Sequence, residues 1–123
     1  MKDKIYLVPK NLYECFAVLD EIFNESLEDY EWFKTSIEDE VVCGLNNGLG
    51  EWMRNTWGLW SKETDLYEVF KNMGLWNAED IYSLILTSYH RKINGKELNL
   101  KKQIQTNVNY WTEYEKINGP IEK

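Results

Sequence analysis

Apolar residues recur at steps of three and four along most of this 123-residue chain, and no stretch alternates singly between apolar and polar with turn signals at its ends. A period near 3.6 buries such residues on one face only if the chain is helical. Leu12, Phe16, Leu19 and Phe23 form one stripe behind Asn11, a good N-cap, and predict a helix to about Asn24. Ser26 caps a second, shorter helix, with Glu28 and Asp29 in its favourable first turn and Tyr30, Phe33 and Ile37 on one side. Gly44, Gly48 and Gly50 then mark a turn or the loosely wound start of a helix, followed by a short helix from about Leu49 to Asn55. Ser61 opens the next helix, with Leu66, Val69 and Phe70 buried and Gly74 as its stop. Asn77 with Asp80 three residues on opens a long helix to about Ile93, with Ile81, Leu84, Ile85 and Tyr89 as its stripe. Asn94-Gly95 ends it, and Asn99 or its neighbours cap a last helix with Leu100, Ile104, Val108 and Trp111 facing inward. The tail beyond about residue 117, with Gly119 and Pro120, is expected to fray. The prediction is an all-α fold: residues 1–123 as one compact bundle of five or six helices.

Six Trp, eight Tyr and 43% hydrophobic residues exclude a disordered chain. The longest apolar runs, such as 81–86, fall far short of a bilayer span, and the N-terminal Met-Lys-Asp-Lys-Ile-Tyr-Leu-Val-Pro has no apolar signal region, so a cytoplasmic protein is expected. With two cysteines, Cys15 and Cys43, and a single His, no four-ligand zinc set exists, and neither a metal nor another cofactor is expected. Both cysteines are read as small packing residues.

The net charge of −7 is unevenly spread. Residues 14–40 hold ten acids against the single Lys34, a local net of −9, whereas residues 90–123 carry a local +3. Glu25, Glu28, Asp29, Glu31, Glu38, Asp39 and Glu40 make an acidic face, either a solvated helix surface or one aimed at a basic partner. Arg91, Lys92, Lys96, Lys101 and Lys102 form a weaker basic patch, but aromatics are not interleaved with it and the overall acidity argues against nucleic acid.

Residues 49–60 read LGEWMRNTWGLW, three Trp in nine residues. Trp57 and Trp60 are expected to be largely buried in an aromatic turn. Arg54 either stacks on a Trp and pairs with an acid such as Asp80, or joins Asn55 and the Trp faces in a pocket for an anionic or planar ligand. His90 ends an apolar helix, and without a named acid or nucleophile beside it a hydrogen-bonding role outranks catalysis.

The block LGEWMRNTWGLW followed by AEDIYSLILTSYHRKINGKELNL resembles a family of small bacterial and phage proteins of unknown function with an LGxWxRNxWGLW … SYHRxxNGK signature. The resemblance covers about residues 45–111, and Gly50, Arg54, Asn55, Trp57, Trp60, Asp80, His90, Arg91 and Asn94 are among the shared positions. It implies a common fold with a polar-aromatic centre and brings no established activity. In the family pattern His precedes the Gly-Leu-Gly where this chain has Asn46 and Asn47, which weakens any histidine-dependent chemistry here.

Three functions are expected, in descending order. The first is a non-enzymatic acidic inhibitor or antidote, of the toxin-immunity or phage anti-defence type, contacting a protein with a basic surface through residues 14–40 and its surplus aromatics. The second is a nucleotide-like ligand binder, with Arg54, Asn55, Trp57, Trp60, His90 and Arg91 converging on one pocket. The third is a hydrolase built on His90 with Asp80 or Glu79. No membrane partner is expected.

Overall fold

A computed structural model describes residues 5–123. The charges at Lys2, Asp3 and Lys4, and the start of the stretch read for targeting, lie outside them. Seven helices and no strand are found among the described residues. They are α1 (Leu12–Asn24), α2 (Leu27–Thr35), α3 (Glu38–Gly44), α4 (Leu49–Thr56), α5 (Asp65–Met73), α6 (Ala78–Ile93) and α7 (Leu100–Asn118). None is long and apolar enough to cross a membrane.

Local chemistry explains several of the helix ends. The Asn11 side chain accepts from the Glu14 backbone N–H at 2.9 Å, and Ser26 does the same for Asp29 at 3.2 Å. Asn77 Oδ1 accepts from the N–H groups of both Glu79 and Asp80. Each satisfies donors that the first helical turn leaves without partners. Gly74 closes α5 at φ +110°, where a left-handed residue lets the Leu75 N–H return to the Phe70 carbonyl.

α6 is the axis of the bundle and packs against α1, α2, α3, α4 and α7. It is buried on nearly every side, as befits a helix whose apolar residues spread beyond one stripe. Ile81, Ile85, Leu86 and Tyr89 are fully enclosed. Around Tyr89 sit Phe16, Phe23 and Phe33; the Tyr89 and Phe23 rings stack at 5.9 Å between centroids with 13° between planes. Burial and the bond from Tyr89 Oη to Asp20 (2.7 Å) both raise the phenol pKa.

Four departures from the sequence expectations have physical causes. The expected five or six helices become seven because α2 stops at Thr35, with Ser36 and Ile37 extended (ψ 156° and 130°), and α3 starts anew. Thr35 Oγ1 donates back to the Glu31 carbonyl at 2.8 Å, a side-chain bond that competes with helix continuation. Ile37, released from the helix, is 64% exposed instead of joining Tyr30 and Phe33. The helix expected from Ser61 begins at Asp65, because Thr64 supplies the cap by accepting from the Tyr67 N–H. Cys15 is enclosed as expected, but Cys43 lies exposed on α3, whose buried side is taken by Val41 and Val42.

α7 covers α6 loosely. None of its residues is fully buried, and Leu100, Ile104, Val108 and Trp111 are half-buried. It persists to Asn118, and Lys123 reaches back to Glu115 at 3.2 Å.

Candidate functional site

The tryptophan-rich block folds as α4 and the turn after it. Gly50 is where α4 meets α6: a Cβ there would lie 2.7 Å from the Tyr82 ring. That close approach draws the Arg54 guanidinium over the Tyr82 ring, with 5.2 Å to its centroid, while Trp60 covers it at 5.7 Å. Arg54 donates from both terminal nitrogens, at 3.0 Å each, to the side-chain and backbone oxygens of Asn46. The residue is 5% exposed, and its Nε has no hydrogen-bond partner. Tyr82 Oη donates to the Val42 carbonyl at 2.6 Å; burial pushes this phenol up to about 12, with the charge of Arg54 pulling the other way.

The expected acid partner of Arg54 is engaged elsewhere. Asp80 accepts from the Trp111 indole at 2.7 Å. Burial raises its pKa, and the indole bond pulls it down. Trp57 is fully enclosed, edge-on to Trp52 at 5.9 Å, whereas Trp60 is 52% exposed and not buried as expected. Gly58, at φ +66° and with a virtual Cβ 2.4 Å from Thr64 Cγ2, turns the chain so that Leu59 goes inward and Trp60 outward over Arg54. Asn55 is exposed on α4.

At the other end of α6, three side chains hold the α2–α3 break. His90 Nε2 lies 3.0 Å from the Ser36 carbonyl, and Asn94 Nδ2 donates to the Lys34 carbonyl at 3.1 Å. A carbonyl only accepts, so Nε2 is the donor in this contact, while Nδ1 is buried and makes no hydrogen bond. Arg91 grips Glu38 with Nε at 2.7 Å and Nη2 at 3.2 Å, and donates its remaining fork to the Leu98 carbonyl at 2.8 Å. The carbonyls that α2 leaves unpaired at its end are thus capped from α6.

The six residues grouped by the ligand reading therefore divide in two. Tyr82, beside Arg54, and Arg91 are nine residues apart on α6, about 13 Å of helical rise. His90 and Asp80, the pair of the hydrolase reading, are separated by about 15 Å along the same helix. Among the described residues no three His, Cys, Asp or Glu side chains are grouped to hold a metal ion. A cavity of about 290 Å³ opens beside Arg91, Lys102 and Gln103, but the best donors of Arg91 are already turned to Glu38.

The acidic face is arranged differently. Glu25, Glu28, Asp29, Glu31, Asp39 and Glu40 are exposed, with Glu25 accepting from the Tyr6 hydroxyl; Glu38 is drawn in by Arg91. Between α1, α2 and the turn before α4 lies a cavity of about 510 Å³, lined by Ile22, Leu45, Leu49, Trp32, Glu25 and Asp29 among others. Trp32 is 52% exposed. Sequence reasoning passed over Trp32 and Leu45. The usable signal was that Trp32 falls off the Tyr30–Phe33 stripe and so could not share its burial.

A profile described as a domain of unknown function (DUF6794) matches residues 8–93. The chain belongs to this family. The DUF6794 match takes in α1 to α6, with the Arg54 centre, the His90–Asn94 cap and the acidic face, and stops where α6 stops, leaving α7 outside. It also starts well before residue 45, where the resemblance in the sequence began. No curated protein and no solved structure matches the chain.

Proposed function

We propose that this DUF6794 protein is a non-enzymatic binding protein that acts in the cytoplasm by contact with a basic protein surface, as an inhibitor or antidote of the immunity or anti-defence type. One observation carries this reading: the exposed charge of α1–α3 is almost wholly acidic, and Glu25 and Asp29 line the same slot as a half-exposed Trp32, a residue type that dominates binding energy in interfaces. Three of the polar residues that could have served a small ligand are engaged within the fold. Arg54 is held by Asn46, His90 by Ser36 and Arg91 by Glu38.

Ten acids over residues 14–40 set up a potential reaching about 8–10 Å at physiological salt. Such a field chiefly raises the association rate. The test is affinity capture from host lysate with wild-type protein and with the double variant Glu28→Lys, Asp29→Lys. The partner should be basic, and its on-rate to the variant should fall and lose its salt dependence, with helicity unchanged. An on-rate insensitive to salt would sink the proposal.

A second reading, an anionic planar ligand at Arg54, is favoured by one fact: among the described residues no carboxylate forms an ion pair with this buried cation. Calorimetric titration with common nucleotides tests it, and heat lost in Arg54→Lys would support it.

A further inference from the structure

We infer that the slot between α1, α2 and the Leu45–Leu49 turn seats the apolar face of a basic amphipathic helix in the partner. The inference rests on the protein-binding reading above and names the occupant of that surface. Ile22, Leu45 and Leu49 give the slot an apolar wall, and its volume of about 510 Å³ suits a few large side chains. Trp32 also lines the slot and is half-exposed, a large aromatic surface within reach of an inserted side chain.

Charge selects the occupant. Glu25, just past the end of α1 and accepting from the Tyr6 hydroxyl, and Asp29, in the first turn of α2, both line the slot, and Glu21, Glu28 and Glu31 are exposed on α1 and α2. Lys34 is the only base in residues 14–40, so an acidic peptide, a phosphate backbone or an anionic lipid surface would meet repulsion. An apolar segment flanked by Lys or Arg gains both burial and attraction.

Backbone chemistry selects a helix. Two of the three elements around the slot are helices, and no strand is present among the described residues, so no sheet edge offers hydrogen bonds to an extended peptide. A helix arrives with its backbone bonds satisfied and needs only side-chain contacts, which is the helix-in-groove mode.

The test uses the whole protein and fluorescein-labelled synthetic helices of about 18 residues, five turns long. One carries a Leu stripe on a Lys background, the second has the stripe changed to Ser with its charge kept, and the third has Glu in place of Lys. Anisotropy titrations are run with wild type and with Trp32→Ala, whose helicity is checked by circular dichroism. The Leu/Lys helix should bind at least about tenfold more tightly than the Ser/Lys helix, and Trp32→Ala should remove most of that difference, about 1.4 kcal/mol. If both basic helices bind equally and Trp32→Ala changes neither, the slot inference falls while the acidic-surface reading stands. If neither basic helix binds better than the Glu helix, both fall. Self-association of the protein, by light scattering, that Trp32→Ala abolishes would make a second copy of this chain the occupant and overturn the inference.

Discussion

Arg91 Nε lies 2.7 Å from Glu38 Oε1, so a base near the end of α6 is bound to the first residue of α3. The sequence suggested one role for each, a ligand contact for Arg91 and a partner contact for Glu38. In the folded chain each occupies the other. With His90 on Ser36 and Asn94 on Lys34, the pair fixes the α2–α3 break and thereby the attitude of the acidic α2 face. A double-mutant cycle with Arg91→Ala and Glu38→Ala should give a coupling of about 1–2 kcal/mol, between values for exposed ion pairs and for buried charged hydrogen bonds. Both side chains are about a quarter exposed (23% and 24%), which is why the upper limit is not expected. Amide exchange at Ser36–Glu40 should speed up in either single variant.

Trp57 and Trp60 are three residues apart and should behave oppositely. Trp57 is fully enclosed, and Trp57→Ala is expected to cost about 3–5 kcal/mol in urea denaturation, the range for deleting a core aromatic. Trp60 is half-exposed and mainly covers Arg54; its removal should cost about 1 kcal/mol or less. Equal losses at the two sites would contradict the placement of both rings.

Two helical glycines differ in sign. Gly44→Ala, with nothing within 4 Å of the new methyl, should stabilise by about 0.4–1 kcal/mol through reduced unfolded-state freedom. Gly50→Ala offers the same gain but drives a methyl to 2.7 Å from a Tyr82 ring fixed by its own hydrogen bond. Overpacking of that kind costs about 1–3 kcal/mol and outweighs the gain, so melting temperature should rise for the first variant and fall for the second.

Asp80 links stability to pH. Burial raises its pKa in the folded state, so the folded chain binds this proton more readily than the unfolded chain. The contribution of Asp80 to stability is therefore highest at low pH and declines as pH rises from the ordinary carboxylate value through the raised one. Asp80→Asn keeps an acceptor for the Trp111 indole and removes that decline. Its stability relative to wild type should rise between about pH 3 and about pH 7, as measured by denaturant midpoints.

The helical class, the caps at Asn11, Ser26 and Asn77, the stop at Gly74 and the course of the long helix to Ile93 were legible in the chain, because each depends on residues within one or two turns. Membership of an uncharacterised family was legible too, and the profile over residues 8–93 agrees at that level. The break after Thr35 was not. No Gly or Pro marks it, and the groups that satisfy its carbonyls, His90 and Asn94, come from more than fifty residues away. The partners of Arg54 and Asp80 were hidden likewise: several acceptors were chemically suitable, and only the close approach of α4 to α6 at Gly50, and of α7 at Trp111, chose Asn46 for one and an indole for the other. Composition and spacing determined which residues could be buried or charged. Which of them meet, and so whether Arg91 and His90 face a ligand or hold a neighbouring helix, was decided by packing of distant segments, where a few ångströms separate a free hydrogen-bonding group from a satisfied one.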